Sequence, residues 1–139
     1  MEAVVYQIQL PYLRHQNGRS YPGLVVQLEN PNNRENALDL RAELDSGAEF
    51  SLFDGNLAES IGLDLASGNP FRFVTTNSSY IDARILPVVI SEPDLGRFPI
   101  GLRFSVNQIQ RNLLGRDFFN LVQIGFRERH LEVFLTPVP

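Results

Sequence analysis

The sequence contains no cysteine among its 139 residues and only two histidines, His15 and His130. The absence of cysteine excludes disulfide frameworks, thiolate zinc sites and cysteine nucleophiles, and it is compatible with a reducing compartment. Two histidines leave little material for a histidine-rich metal site. The sequence therefore predicts neither a metal nor a cofactor, and a chain of this length buries enough surface to fold without one.

Positive charge and long apolar runs are also scarce. The formal net charge is −4, which does not fit a basic nucleic-acid-binding surface. The apolar runs are too short to cross a bilayer, and the first residues lack the basic and apolar regions of a signal peptide. We therefore expect a soluble, cytoplasmic protein that binds neither nucleic acid nor membrane.

What the chain does contain is regular alternation of apolar and polar residues, which marks strands with one buried face. The alternating apolar positions are Leu24, Val26 and Leu28; Leu38, Leu40, Ala42 and Leu44; Phe98, Ile100, Leu102 and Phe104; Val122, Ile124 and Phe126; and Leu131, Val133 and Leu135. Turn-forming residues separate these segments. The pattern predicts an all-β barrel or folded sheet in a single domain over residues 1–139, with a core from about 22 to 135.

Two short helices are predicted between the strands. Asp54 is placed to cap a helix that runs to Ile61 and stops at Gly62. A second helix is predicted from about Arg116 to Leu121.

The first candidate for chemistry is Asp45, in the segment Leu44-Asp45-Ser46-Gly47-Ala48. The alternation that turns Leu44 toward the core turns Asp45 to the opposite side. The Ser46 hydroxyl can donate a hydrogen bond, and Gly47 permits close approach of another backbone or a ligand. Taken alone, the segment is more simply a strand ending in a turn, since Asp, Ser and Gly are common turn formers.

A second segment, Leu113-Leu114-Gly115-Arg116-Asp117, leads from two apolar residues through a glycine into a helix. By itself it describes a buried strand, a glycine break and a helix with an acid near its N-terminus. In this order, however, the two segments resemble the retropepsin family of aspartic proteases. That family carries Asp-Thr/Ser-Gly-Ala after a hydrophobic strand, and later two apolar residues with Gly-Arg-Asp or Gly-Arg-Asn before a helix. The resemblance covers roughly Leu24 to Leu135 and implies an all-β, retropepsin-like closed barrel or folded sheet, with one lobe per chain.

The resemblance also implies a role for each residue of the two segments. Asp45 would be the catalytic acid, and Ser46 would join the hydrogen-bonded grip between two active-site loops. Gly47 would accept the substrate backbone, and Ala48 would complete the loop that supports it. Glu49 stands where the family often has Asp, and Arg116 would pair with it within or between subunits.

The resemblance places a flap hairpin at Phe73–Ile81, with Thr75, Thr76, Asn77 and Ser78 near its tip. Flaps of the family often carry glycine there, and this hairpin has none. Asn77 adopts a positive φ more readily than most residues, which keeps the turn feasible.

The sequence contains one Asp-Ser-Gly segment, whereas this chemistry needs two carboxyl groups around one water. One carboxylate accepts a proton from the water, and the other, protonated, donates to the carbonyl oxygen of the substrate. Two close carboxyls share one proton, and a two-fold homodimer supplies the second Asp45 by symmetry. The sequence therefore predicts a homodimeric aspartic endopeptidase that cleaves a peptide or protein substrate.

Two other interpretations remain open. A catalytically inactive dimerisation or peptide-binding module would keep the fold without cleavage, and the glycine-free flap favours it. A plain structural β-domain would leave Asp45 and Arg116 as surface residues. The run Leu131, Val133 and Leu135 is either an intersubunit strand or part of the intramolecular core.

Overall fold

A computed structural model describes residues 3–139. Over this range the chain consists mainly of strands, which confirms the all-β expectation. In chain order, the strands and α-helices are β1 Ile8–Pro11, β2 Leu13–Arg14, β3 Ser20–Tyr21, β4 Gly23–Asn30, β5 Asn33–Leu44, β6 Leu52–Asp54, α1 Gly55–Ser60, β7 Asn69–Val74, β8 Tyr80–Glu92, β9 Gly96–Ser105, β10 Leu113–Leu114, α2 Arg116–Phe119, β11 Val122–Arg127 and β12 Glu132–Pro137.

Six strands close into a ring. They follow the order β4-β5-β10-β6-β9-β8, and β8 pairs back with β4. The pairs β5–β10 and β6–β9 are parallel, and the other neighbours in the ring are antiparallel. Strand β7 extends the sheet beyond β8. This ring is the closed barrel or folded sheet that the sequence predicts.

The ring is filled by the apolar residues of the alternating segments. Leu24, Val26 and Leu28 of β4 are at most 1% exposed, and Leu102 and Phe104 of β9 are fully buried. Because successive side chains of a strand point to opposite faces, a period of two places one set inside. The core of the fold therefore follows directly from the sequence pattern.

The alternation is wrong at two positions near the C-terminus. Phe126 and Leu131 are 41% and 40% exposed. Phe126 lies near the end of β11, an edge strand, and Leu131 lies in the turn before β12 with a left-handed φ of 55°. Period-two burial requires a continuous strand covered on one face, and neither residue is in such a position.

A separate three-stranded sheet has the order β1-β12-β11. Val133 and Leu135 of β12 are fully buried and belong to the main core cluster. These two residues are therefore intramolecular core. Leu131, the third residue of the same run, lies outside this core.

The two helices lie close to their predicted positions. Asp54 caps α1 by accepting a hydrogen bond from the N–H of Asn56. Helix α1 ends at Ser60, with Ile61 as its C-cap, and Gly62 follows with a φ of 80°. Helix α2 ends at Phe119 rather than at Leu121. The N–H of Leu121 donates to the carbonyl of Phe118, three residues back, so the last turn has 3-10 rather than α-helical hydrogen bonding. No helix of residues 3–139 has the length and apolar character needed to cross a membrane.

Candidate active site

Asp45 directly follows β5, at a point where two distant segments of the chain cross. Its backbone N–H donates to the carbonyl of Leu114 at 2.9 Å, because β10 runs parallel to the end of β5. In return, the N–H of Arg116 donates to the carbonyl of Ala48 at 2.8 Å. The fold therefore brings together the two segments on which the sequence-based hypothesis depends.

The loop itself orients the Asp45 side chain. Oδ1 of Asp45 accepts a hydrogen bond from the N–H of Gly47 at 2.9 Å, and the N–H of Ala48 donates to the Asp45 carbonyl at 3.2 Å. This is a turn in which an aspartate side chain bonds the backbone two residues later. Ser46 is exposed and Asp45 is half-buried, so the carboxyl group is fixed in direction while still accessible.

Gly115 allows the two segments to cross at close range. A Cβ at this position would lie 2.6 Å from the carbonyl oxygen of Ala48 and 2.9 Å from the carbonyl carbon of Phe50. The backbone φ of Gly115 is −103°, which other residues adopt without strain. Glycine is therefore required here because the two segments leave no room for a side chain.

Side-chain hydrogen bonds of Ser51 and Asp117 stabilise the same crossing. The Ser51 hydroxyl donates to Oδ1 of Asp117 at 2.6 Å and accepts from the N–H of Gly115 at 2.9 Å. The N–H of Ser51 also donates to this Oδ1 at 2.9 Å. The sequence indicates only an acid near a helix start. Its sole further signal is a lone hydroxyl between the apolar residues Phe50 and Leu52.

Glu49 and Arg116 both have exposed side chains. The ion pairs formed within residues 3–139 do not include a Glu49–Arg116 pair. The backbones are nevertheless adjacent, since the N–H of Asp117 donates to the carbonyl of Glu49 at 3.2 Å. Of the two arrangements expected for this pair, the one within a chain is not formed, and the one between two chains stays a prediction.

Arg103 links the Asp45 loop to the flap. Its guanidinium carbon lies 3.6 Å from the ring centroid of Phe50, in the Asp45 loop, and 4.3 Å from that of Phe71, in β7. Burial lowers the pKa of Arg103, and the negative charges of Asp117 and Glu49 oppose this shift. Arg103 therefore connects β7 with the loop that contains Asp45. Its sequence context does not reveal this role.

A hairpin forms where the resemblance places the flap, with Val74 of β7 paired to Tyr80 of β8. The positive φ at its tip belongs to Ser78, at 66°, and not to Asn77. Oδ1 of Asn77 instead accepts hydrogen bonds from the hydroxyl of Thr75 and the N–H of Ser79. The side chain of Asn77 closes the turn, and Ser78 adopts the left-handed conformation.

One chain therefore presents one oriented carboxyl group and a crossing that fixes it, and Arg103 joins this crossing to β7, the first strand of the hairpin. Thr76, at the tip, is exposed. Among residues 3–139, no group of three or more His, Cys, Asp or Glu side chains is arranged to hold a metal ion.

No protein-family model and no curated protein matches the sequence, but solved structures match the fold. A retropepsin-like aspartic protease from Rickettsia conorii superposes with a TM-score of 0.63 at 19% identity, over 92% of this chain and 90% of that one. The retroviral protease-like domain of Ddi1 from Leishmania major gives 0.55 at 17% identity, over 84% and 94%. EIAV protease in complex with the inhibitor HBY-793 gives 0.50 at 20% identity, over 76% and 90%.

These three superpositions cover most of each chain although few residues are identical. A shared arrangement of strands survives such divergence because it depends on the pattern of burial more than on particular side chains. The chain therefore has the retropepsin-like fold, as the two segments around Asp45 and Gly115 predicted.

Proposed function

We propose that two copies of this chain form an aspartic endopeptidase, in which the Asp45 carboxyl of each copy contributes half of the catalytic pair. The observation that carries this proposal is the crossing at Asp45, where Leu114 accepts from Asp45 and Ala48 accepts from Arg116. A turn of a structural β-domain would not need its acid to be held by a segment almost seventy residues away. The likeness to solved aspartic proteases adds support.

The chemistry follows from two carboxyl groups that face each other. Repulsion between two adjacent carboxylates keeps one of them protonated, so the pair shares a proton. The ionised Asp45 accepts a proton from a water molecule, which attacks the peptide carbonyl, and the protonated Asp45 donates to the carbonyl oxygen. The hydrogen bond from Gly47 to Oδ1 holds each carboxyl in a constant direction, and this reduces the reorganisation needed on reaction.

Exposed apolar side chains support association of two copies. Several of them lie in the three-stranded sheet or in the segments beside it, and Val5 is 82% exposed. The others in this group are Val4, Phe126, Leu131 and Val138. Strands β1 and β11 are the edges of that sheet, and edge strands with apolar neighbours favour pairing with another chain. We infer a two-fold contact through this sheet, in which each copy uses the same surface.

The alternative function is a dimeric peptide-binding module that does not cleave. The flap favours it, because its tip contains no glycine and Ser78 holds a left-handed φ of 66°. Binding of extended peptides along a strand edge would then be the activity of the fold.

The decisive experiment compares Asp45→Asn with Asp39→Asn, an exposed aspartate on the same strand. Cleavage of a peptide library between acidic and neutral pH is expected to fall about 100-fold or more in Asp45→Asn and to be retained in Asp39→Asn. Circular dichroism checks that both variants are folded. Undiminished cleavage by Asp45→Asn rules out the mechanism.

Subunit mixing tests whether two copies share one site. Adding excess Asp45→Asn chain to the unmodified chain is expected to suppress activity beyond simple dilution, because mixed dimers carry one intact acid. Adding Asp39→Asn in the same ratio leaves activity intact. A protein that sediments as a dimer and binds peptides but cleaves none of the library is the non-catalytic module instead.

A further inference from the structure

The last residues of β5 before Asp45 include two charged residues on the same side as Asp45. Ala42 and Leu44 are buried in the ring, so Arg41, Glu43 and Asp45 lie on the opposite face. The N–H of Glu43 donates to the carbonyl of Asn112 at 2.8 Å, which brings the segment before β10 alongside. The surface that leads up to Asp45 is therefore built by β5 and by residues 110–112.

Three adjoining cavities lie along this surface and share the His15 and Tyr21 region. One, of about 320 Å³, lies between Arg41, Glu43 and Arg111 on one side and the stacked rings of His15 and Tyr21 on the other. The two ring centroids are 4.0 Å apart. The neighbouring cavities extend the same depression along the β2–β3 hairpin.

Positive charge dominates this depression, although the chain as a whole carries −4. Arg14, Arg19, Arg41 and Arg111 line it, together with a single carboxylate, Glu43. We call this surface the arginine cleft.

The arginines of the cleft are poorly paired with acids. Arg111 approaches Glu43 at 3.5 Å, a long contact, and Arg41 donates to the backbone carbonyl of Arg14 at 2.9 Å. Within residues 3–139, Arg111 is the one cleft arginine with an acidic partner. The positive charge of the cleft is therefore available to a ligand.

We propose that the arginine cleft binds an acidic side chain of the peptide that the chain recognises, a few residues from the position held at Asp45. A guanidinium pairs with a carboxylate through two parallel hydrogen bonds, which gives direction as well as charge. Glu43 and Arg41 precede Asp45 by about 7 and 13 Å along the strand, a distance that two to four residues of an extended peptide span. The cleft would thus read a side chain near, but not at, the bond.

The consequence for cleavage rests on the proposed function, whereas the binding does not require catalysis. A single-stranded nucleic acid is the other polyanion that a basic surface with two aromatic rings could hold. Glu43 inside the cleft and the negative charge of the rest of the chain disfavour a polyphosphate, and the continuity with Asp45 favours a peptide. The nucleic acid therefore enters the test as a competing outcome.

The test uses Asp45→Asn chain, so that peptides bind without cleavage, and fluorescently labelled pools of short peptides with either Glu or Gln at one fixed position. Fluorescence anisotropy is expected to show about three- to tenfold tighter binding of Glu pools at one or two positions, weakened by salt. The added changes Arg41→Gln and Arg111→Gln remove this preference. Arg34→Gln, an exposed arginine at the far end of β5, preserves it.

Equal binding of Glu and Gln pools at every position would overturn the inference. So would a preference that survives the loss of both arginines, or tighter binding of oligodeoxythymidine of matched charge. Absence of any peptide binding also overturns it. Cleavage of the same pools by the unmodified chain separates this from the proposed function. Cleavage without an acidic preference refutes the cleft and leaves the peptidase, whereas acidic binding without cleavage refutes the peptidase and leaves the cleft.

Discussion

The crossing at Asp45 and the tip of the β7–β8 hairpin, the proposed flap, are held in different ways. At the crossing, Ser51 bonds residues 64 and 66 positions away, and it is fully buried. At the flap tip, Asn77 bonds residues two positions away, and it is exposed. Segments with few buried contacts open at the lowest free-energy cost. The chain thus fixes its acid by tertiary contacts and leaves the covering hairpin to local ones.

The largest effect is expected from Gly115→Ala, which tests whether the crossing is close-packed. We expect a loss of about 3 kcal/mol or more in the free energy of unfolding, because the new Cβ would overlap the carbonyl of Ala48. Urea unfolding measures this loss. The control is Gly101→Ala in β9, where a Cβ would lie at an ordinary 3.5 Å from Ile85. Equal stability of the two variants would show that the crossing is not close-packed.

A pair of serine substitutions compares how much one hydroxyl stabilises the crossing and the flap tip. Ser51→Ala leaves the buried N–H of Gly115 and the carboxylate of Asp117 short of a partner, and we expect a loss of about 1–3 kcal/mol. Ser79→Ala removes an exposed hydroxyl that donates to Asn77 at the flap tip, with an expected change within about 0.5 kcal/mol. Thermal unfolding of both variants gives the two values. A larger loss for Ser79→Ala would reverse the assignment of rigid and mobile parts.

Acid pH provides the third prediction, since the proposed activity has to be assayed there. Burial alone would raise the pKa of Glu29, but hydrogen bonds from Arg97 and the charges of Arg97 and Arg34 lower it below its usual value. The stabilisation from Glu29 is therefore present above its unfolded pKa of about 4.3 and is lost as the pH falls through the lower folded value.

The free energy of unfolding of the unmodified chain should consequently fall below about pH 4.3 more steeply than that of Glu29→Gln. Glu35→Gln, an exposed position in β5, serves as the control and should keep the full dependence. Equilibrium unfolding across the acid range makes the comparison. It also separates acid unfolding from any effect of pH on the proposed activity. Identical slopes for the three proteins would remove Glu29 as the cause.

The smallest expected effect on stability is at the flap. Asn77→Ala removes the acceptor that closes the tip. Because Asn77 is exposed, we expect the free energy of unfolding to change by less than about 0.5 kcal/mol, while peptide cleavage slows. Steady-state kinetics on one peptide, compared with those of Asn56→Ala on the surface of α1, tests this. Unchanged cleavage would mean that the tip does not take part in closing over the peptide.

Most of the ring was predictable from sequence, because period-two burial is a local property of each strand. The start of α1 was predictable from Asp54 for the same reason. The failures at Phe126 and Leu131 arose where a strand ends or lies at a sheet edge, and sequence pattern does not record which edges are covered. The flap turn was located correctly, but whether Asn77 or Ser78 takes the positive φ depends on where one amide side chain bonds.

The sequence alone specified the strand faces, the place of Asp45 at the end of β5 and the order of the two segments around Asp45 and Gly115. It did so because alternation, turn residues and the order of two short motifs are local or linear features. Only the tertiary structure brings Ser51 and Asp117 to the crossing, joins the crossing to β7 through Arg103, and gathers four arginines around His15 and Tyr21. These contacts join residues far apart in the chain, and only the closure of the ring brings them within reach of one another.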